Sequence, residues 1–362
     1  MAGAVDEALA RIPEAERDDC RSLVEQLVAQ GATVDEIADA YDEGRLGLLS
    51  LEQWLGDEGG RTLDEIAAAS GVDPEALVAN RRALGLPVER ERPAYGPGLE
   101  AQARRLAAYR AGGFSEEDVL IFNRVAGRGI AALVATATDL LMDVLAAQEE
   151  DPGRRGLLAA QTIVGLLPTL EEGISNVLRE HIRQMVRTEA AEQLAVAEPG
   201  GAQEVAVAFV DLVGFTSTGQ AVSAPELGEL AQRLEATAVE LSGPDVTVVK
   251  VIGDAVMLAS REPAKLVEAA SRLVAAGGND GSTLPAMRAG AAFGEAVRRG
   301  GDYFGHVVNV ASRLTPHAEP GSVVVERRLR EATGDAAGWE PAGTRELRGV
   351  RGPVEVFTEH AG

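Results

Sequence analysis

The sequence predicts an all-α domain followed by an α+β domain. The chain has 362 residues, and a chain of this length typically folds as about two domains. Up to about residue 200, the sequence is rich in Ala, Leu, Glu and Arg, and its apolar residues recur at helical spacing. From residue 201, short Val-rich runs alternate with helical segments, as in a domain that mixes strands and helices. We expect a helical domain over residues 1–172, a helical linker over 173–200 and an α+β domain over 201–362.

The helices of the first domain are predicted from apolar positions three and four residues apart. Loops rich in Gly and Pro separate them at Gly59-Gly60 and at 92–97. The predicted helices are Leu9–Gln30, Leu63–Ser70, Pro74–Leu84, Glu100–Ala111 and Phe122–Ala147.

Two of these helices have the spacing of a helix-turn-helix. Gly71 would form the turn, and Pro74 would lie in the first turn of the second helix. Such pairs bind DNA in many regulators. The chain carries a net charge of −23, which repels the phosphates of nucleic acid. We therefore favour an ordinary helical hairpin and expect no nucleic-acid partner.

The segment 173–197 carries an apolar stripe that includes His181. Histidine titrates near physiological pH, so one interpretation is a transmission helix in which His181 acts as a regulatory proton switch. The other is a connecting helix with a partly buried histidine. The apolar stripe consists of Ile174, Val177, Leu178, Ile182, Met185 and Val186.

The second domain is predicted from Val-rich strands and two intervening helices. The strands are Val205–Val210, Val246–Val251, Ser322–Val325 and Val354–Phe357, and the helices are Leu227–Leu241 and Ala264–Ala275.

Composition excludes several classes of protein. Cys20 is the only cysteine, which rules out an intrachain disulfide framework or a cysteine metal cluster. The richest apolar window, Gly129–Ala147, is interrupted by Asp139 and Asp143, and a membrane span needs about 18 apolar residues in succession. The N-terminus lacks a basic region leading into an apolar run. We expect a cytoplasmic protein with no membrane partner.

Two acidic motifs lie at the ends of predicted strands. Asp211 ends a buried strand and precedes a Gly turn, where a carboxylate can hold a hard cation. Further along, two apolar runs flank Gly253-Asp254, the pattern of a β-hairpin. A hairpin beside the first strand would bring Asp254 next to Asp211, and two repelling carboxylates favour a divalent cation between them. Taken singly, Asp211 could instead cap a helix, and Asp254 could simply follow Gly253 in a tight turn.

A third motif covers 301–314. If 307–314 is helical, Asn309 and Arg313 lie one turn apart on the same face. A neighbouring amide and guanidinium can bind a charged oxygen. The alternative is an amphipathic helix with a solvent-facing arginine.

In this order, the three motifs resemble the catalytic domain of class III nucleotidyl cyclases over about residues 201–360. The first half resembles the helical regulatory domain that precedes it in actinobacterial adenylyl cyclases, some of which respond to pH. That second resemblance rests on size, helical texture and the connecting helix. It implies that the helical domain restrains catalysis. The catalytic resemblance implies a ferredoxin-like βαββαβ core that works as a homodimer, with two equivalent sites between the cores.

The resemblance also implies roles for individual residues. Asp211 and Asp254 correspond to the acids that bind two divalent cations, Mg²⁺ or Mn²⁺. They would come from one subunit, and the remaining residues would come from the other. The adenine-selecting pair falls on Lys250 and Asp302, and the catalytic transition-state pair falls on Asn309 and Arg313.

Lys250 and Asp302 favour ATP over GTP as the substrate. Lys250 can donate to a ring nitrogen of adenine and Asp302 can accept from its exocyclic amine, whereas guanine presents the opposite pattern on that edge. Lysine is otherwise scarce, because Lys265 is the only other one. Other residues are also expected to bind the substrate. They are the backbone of 213–216, which includes Phe215 and Thr216, the side chain of Arg348, and that of either Arg298 or Arg299.

Other functions stay open at this stage. One is a guanylyl cyclase, and another is a non-catalytic nucleotide-binding or DNA-binding regulator. The Ala- and Leu-rich helices would also allow a small apolar ligand in the helical domain.

Overall fold

The computed structural model describes residues 2–49, 51–52, 59–149, 152–188, 201–214, 223–278, 282–334 and 338–360. The chain divides into two compact units, Met1–Glu192 and Gln193–Gly362.

The first unit is built from helices over its described residues. Apolar side chains form two cores, one around α1–α3 and the other around α4–α7. The helices are α1 (Ala2–Ala10), α2 (Arg17–Gln30), α3 (Val34–Asp42), α4 (Leu63–Ser70), α5 (Pro74–Ala83), α6 (Pro97–Ala111), α7 (Glu116–Ala146) and α8 (Pro152–Thr188).

The predicted helices of this unit are confirmed with one exception. The single helix expected over Leu9–Gln30 is wrong, because α1 ends at Ala10 and α2 begins at Arg17. Pro13 lies between them, and proline lacks the backbone N–H that a continuous helix needs. The helical hairpin of α4 and α5 forms as expected, with Gly71 in the left-handed region at φ +65°.

α7 and α8 present large apolar side chains to solvent. α7 is long and apolar enough, by length and composition, to cross a membrane, although Asp139 and Asp143 lie within it. Only 6% of its most apolar 18-residue window is buried. On α8 the exposed stripe is the one predicted around His181.

The second unit contains an eight-stranded mixed sheet with helices on both faces. The strand order is β2-β3-β1-β4-β6-β8-β7, with β5 paired to β4. The strands are β1 (Gln203–Leu212), β2 (Thr247–Ile252), β3 (Ala255–Ser260), β4 (Met287–Arg299), β5 (Asp302–Phe304), β6 (Ser322–Glu326), β7 (Glu340–Glu346) and β8 (Pro353–His360). The helices are α9 (Ala224–Ser242), α10 (Pro263–Ala275), α11 (His306–Leu314) and α12 (Arg327–Thr333).

The ferredoxin-like core is confirmed. The chain runs β1-α9-β2-β3-α10-β4, and all pairings among these four strands are antiparallel. The remaining strands extend the sheet beyond β4, where β6 pairs with it in parallel.

Alternate residues of β1 enter two different cores. Ala206, Ala208 and Val210 pack on the side of α9 and α10. Val205, Val207 and Phe209 pack on the side of α11. Because side chains alternate along a strand, Asp211 continues the second series. Burial on both faces explains why β1 reads as an unbroken apolar run.

Candidate active site

Asp211 and Asp254 are neighbours at one end of the central strands. Asp211 lies near the end of β1 and pairs with Ala255 of β3. Asp254 occupies the β2–β3 turn beside Gly253, which has φ +63°. The backbone N–H of Leu212 donates to the carbonyl oxygen of Asp254 at 3.0 Å. The expected juxtaposition of the two acids is therefore present in the single chain.

The carboxyl group of Asp211 is perturbed by its surroundings. Burial raises its pKa, the guanidinium of Arg288 opposes that rise, and the nearby charge of Asp254 adds to it. An ionised Asp211 is thus held at an energetic cost, which a cation bound between the carboxylates would offset.

The donor chemistry suits a magnesium-like ion. Carboxylate oxygens are hard ligands, and Mg²⁺ typically takes one or two of them together with water and substrate phosphates. Within the described ranges, no group of three or more His, Cys, Asp or Glu side chains could hold a metal. A cation at Asp211 and Asp254 would therefore complete its coordination with backbone, water or substrate oxygens.

Arg288 is a site residue that the sequence did not reveal. It lies at the start of β4, directly opposite Asp211 in the β1–β4 register. Its Nη2 and Nε donate to Oδ2 of Asp211 at 3.1 and 3.4 Å. Asp211 and Arg288 are 77 residues apart, so only the strand register brings them together. That register has no local sequence signal.

Lys250 and Asp302 form an ion pair within the chain. Lys250 lies on β2 after a local register shift at Val248, and Asp302 begins β5. The backbone N–H of Tyr303 donates to the other carboxylate oxygen of Asp302 at 2.8 Å. Both side chains are partly exposed, so an incoming ligand can reach them.

Asn309 and Arg313 lie one turn apart on the exposed face of α11, as expected. The opposite face of this helix is buried through Val307, Val310 and Leu314. Among the described residues, neither the Asn309 amide nor the Arg313 guanidinium has a hydrogen-bond or ion-pair partner. Both groups are available to a ligand or to another subunit.

Of the other expected substrate contacts, two lie outside the described residues and one backbone N–H already has a hydrogen-bond partner. Phe215 and Thr216 fall outside them. The N–H of Val213 donates to the carbonyl of Ala286 at 2.8 Å, so it is not free to bind phosphate. Arg348 is exposed in the turn after β7.

Arg298 and Arg299 lie at the far end of β4 from Arg288. The Arg298 guanidinium lies over the Tyr303 ring at 5.9 Å. Arg299 faces Asp302 in the β4–β5 register.

His181 is exposed on α8, together with the apolar stripe around it. It is therefore not a packed core histidine in the helical unit as described.

Known proteins resemble this chain along its whole length. The family model of the adenylate cyclase regulatory domain matches residues 3–186. A pH-sensitive adenylate cyclase of Mycobacterium tuberculosis is 38% identical over 376 residues, covering 99% of this chain and 92% of that protein. An adenylate cyclase of Streptomyces griseus is 36% identical, covering 62% of this chain and 56% of that protein. The solved adenylyl cyclase CyaB from P. aeruginosa is 23% identical, covers 44% of this chain and 94% of its own, and aligns with a TM-score of 0.38.

Proposed function

This chain belongs to the adenylate cyclase family, and on that premise we propose that it converts ATP to 3′,5′-cyclic AMP and pyrophosphate. The observation that carries the proposal is the juxtaposition of Asp211 and Asp254 at the end of β1. The proposed site lies in the α+β unit, and the helical unit regulates it. We place the enzyme in the cytoplasm, where ATP is available.

In the proposed reaction, the ribose 3′-oxygen attacks the α-phosphorus in line. Its proton passes to solvent, and the bond from the α-phosphorus to the bridging oxygen of pyrophosphate breaks. Asp211 and Asp254 would hold two Mg²⁺ or Mn²⁺ ions, which lower the pKa of the 3′-hydroxyl and neutralise the phosphates. No covalent intermediate with the protein is needed.

Lys250 and Asp302 would select adenine. Within the chain they pair with each other. A base that accepts a hydrogen bond from Lys250 and donates one to Asp302 replaces that ion pair with two hydrogen bonds. Adenine is such a base. Guanine would place a hydrogen-bond donor opposite Lys250 and an acceptor opposite Asp302.

Asn309 and Arg313 would act on the sugar and the phosphate. The Asn309 amide orients the ribose, and the Arg313 guanidinium neutralises charge that develops at the α-phosphate. Both side chains are exposed and have no hydrogen-bond or ion-pair partner among the described residues, which supports this assignment.

We propose that each site forms between two copies of the chain. The two acids would come from one subunit and face Lys250, Asp302, Asn309 and Arg313 of the other. Exposed apolar side chains flank the site: Ile252 lies two residues before Asp254, and Phe304 lies two residues after Asp302. Apolar surface next to a polar site is typical of an interface that a partner covers.

The reaction is tested with purified full-length protein, ATP or GTP, and Mg²⁺ or Mn²⁺, by measuring both cyclic nucleotides. We expect cyclic AMP as the main product, and Asp211→Asn to abolish it. The matched control is Glu235→Gln, an exposed carboxylate on α9, which should leave the rate unchanged. Cyclic GMP as the main product, or an active Asp211→Asn protein, would contradict the proposal.

Mixing two inactive variants tests the shared site. In a homodimer, Asp211→Asn and Arg313→Ala chains form heterodimers with one intact site of two. Random pairing then restores about a quarter of wild-type activity, because about half of the dimers are mixed and each mixed dimer has one working site of two. Mixing Asp211→Asn with Asp254→Asn should restore nothing. If the first mixture stays inactive although mixed dimers form, the site does not span two chains.

We further propose that protonation of His181 alters the restraint imposed by the helical unit. On its own helix, the residues one turn away are Val177, Leu178, Gln184 and Met185, which carry no charge. Its protonation therefore places a charge within an apolar stripe, where a charge disfavours packing.

A further inference from the structure

A cavity of about 170 Å³ lies between α5, α6 and α7 in the helical unit. Five polar side chains line it, and we call it the carboxamide cavity. They are Asn80, Gln102, Arg105, Tyr109 and Asn123. The rest of the wall is apolar, mainly leucine, alanine and the ring of an exposed phenylalanine.

The side chains of Asn80 and Asn123 are buried, and that of Gln102 is partly buried. Asn80 is 4% exposed and Asn123 is 7% exposed. The Oε1 atom of Gln102 is buried and has no hydrogen-bond partner. Within the part of the chain that the structure describes, none of the five lining side chains makes a hydrogen bond or ion pair with protein. Buried polar groups are nearly always satisfied, so Oε1 of Gln102 requires a hydrogen-bond donor inside the cavity.

Charge and size define the occupant that supplies this donor. Arg105 is the only charged side chain in the described wall, although the surrounding chain is strongly acidic. The cavity therefore favours an anion, and a guanidinium binds a carboxylate well. Its volume is similar to that of the engineered cavity of about 150 Å³ that binds benzene in another protein. An occupant of about six non-hydrogen atoms fits.

Gln102 adds a further requirement. A carboxamide oxygen only accepts hydrogen bonds, so the unpaired Oε1 needs a donor, an O–H or N–H group, from the occupant. A simple carboxylate has no such donor. We propose that the carboxamide cavity binds a small hydroxycarboxylate of three or four carbons, with its carboxylate on Arg105 and its hydroxyl donating to Gln102. This site is separate from the proposed cyclase site and does not depend on it.

The probes are L-lactate, propionate and 1,2-propanediol, titrated calorimetrically into the full-length protein. Lactate carries both a carboxylate and a hydroxyl, propionate lacks the hydroxyl, and 1,2-propanediol lacks the charge. We expect saturable binding of lactate and at least about tenfold weaker binding of the other two, since each loses one hydrogen-bonding group. Absence of lactate binding, or equal binding of lactate and propionate, would overturn the proposal and leave the cavity to water.

Variants locate the binding. Arg105→Ala should weaken lactate binding about ten- to a hundredfold, and Gln102→Leu should remove the preference for lactate over propionate. The matched control is Arg104→Ala, because Arg104 is exposed and pairs with Glu100 rather than lining the cavity. Thermal unfolding without ligand checks that each variant is folded. Unchanged lactate binding in folded Arg105→Ala and Gln102→Leu proteins would refute this location.

Discussion

Gly290 fixes the distance between β4 and α11, the helix that carries Arg313. A Cβ atom at Gly290 would lie 2.2 Å from the backbone N of Thr315, and 2.7 Å from both the Ala311 oxygen and the Leu314 carbonyl carbon. Ordinary contact begins at about 3.4 Å, so Gly290→Ala requires a shift of about 1.2 Å. All three atoms belong to the backbone, so no side-chain rotation can relieve the overlap.

Two consequences of Gly290→Ala follow from that shift. Overpacking of this kind destabilises a protein by about 1–3 kcal/mol. A displacement of about 1 Å at a catalytic group costs about 100-fold in rate. We therefore expect kcat for ATP to fall about 100-fold. The KM should change less, because Lys250 and Asp302 lie on strands that do not contact this position.

Steady-state kinetics and thermal unfolding of the same preparation measure both effects. The matched control is Gly228→Ala on the exposed side of α9, where a new Cβ meets nothing within 4 Å. Ala is a better helix former than Gly by about 1 kcal/mol, so this control should stabilise the protein and leave kcat unchanged. A Gly290→Ala enzyme with wild-type Tm and kcat would show that α11 is not held by this contact.

Three further outcomes are expected. Arg313→Ala should lower kcat by roughly 10²–10³, by analogy with loss of an oxyanion donor, measured as initial cyclic AMP formation; a normal rate would remove Arg313 from the mechanism. His181→Ala should flatten the pH–activity profile between about pH 5 and 8 relative to Gln184→Ala, and an unchanged profile would rule out the switch. Glu359 accepts a hydrogen bond from Ser271 at 3.0 Å, and burial raises its pKa. Its contribution to stability is thus present below its ordinary pKa and is lost as the pH rises through the raised value. Glu359→Gln should therefore raise the Tm at pH 7 but not in acid, and a lower Tm at pH 7 would contradict this reasoning.

Local patterns allowed prediction of the catalytic core. Val-rich runs marked β1, β2 and β6, and the Gly253-Asp254 pair marked the hairpin that brings its acid beside Asp211. These features depend on strand alternation and turn chemistry over a few residues. The one-turn spacing of Asn309 and Arg313 followed in the same way from helix geometry.

Long-range placement could not be predicted. The pairing of Arg288 with Asp211 depends on the register between strands separated by the whole β2–β3 hairpin and α10. Likewise, three helices bring Asn80, Gln102 and Asn123 together, and no local pattern relates those positions. The break at Pro13 was different, because the signal was present in the sequence and the apolar spacing on either side obscured it.

The single chain neutralises its own candidate site. Arg288 pairs with Asp211, and Lys250 pairs with Asp302, so three of the proposed binding groups, Asp211, Lys250 and Asp302, already have a partner of opposite charge. A divalent cation bound at Asp211, as proposed, would compete with Arg288 and with a proton, because burial raises the pKa of that carboxyl group. In the proposed site, ATP would likewise have to separate Lys250 from Asp302. A ligand recovers the energy of a broken ion pair only if it satisfies both side chains of that pair. These internal pairs therefore favour a nucleotide that matches Lys250 and Asp302 and binds together with its metal, over the nucleotide alone or the metal alone.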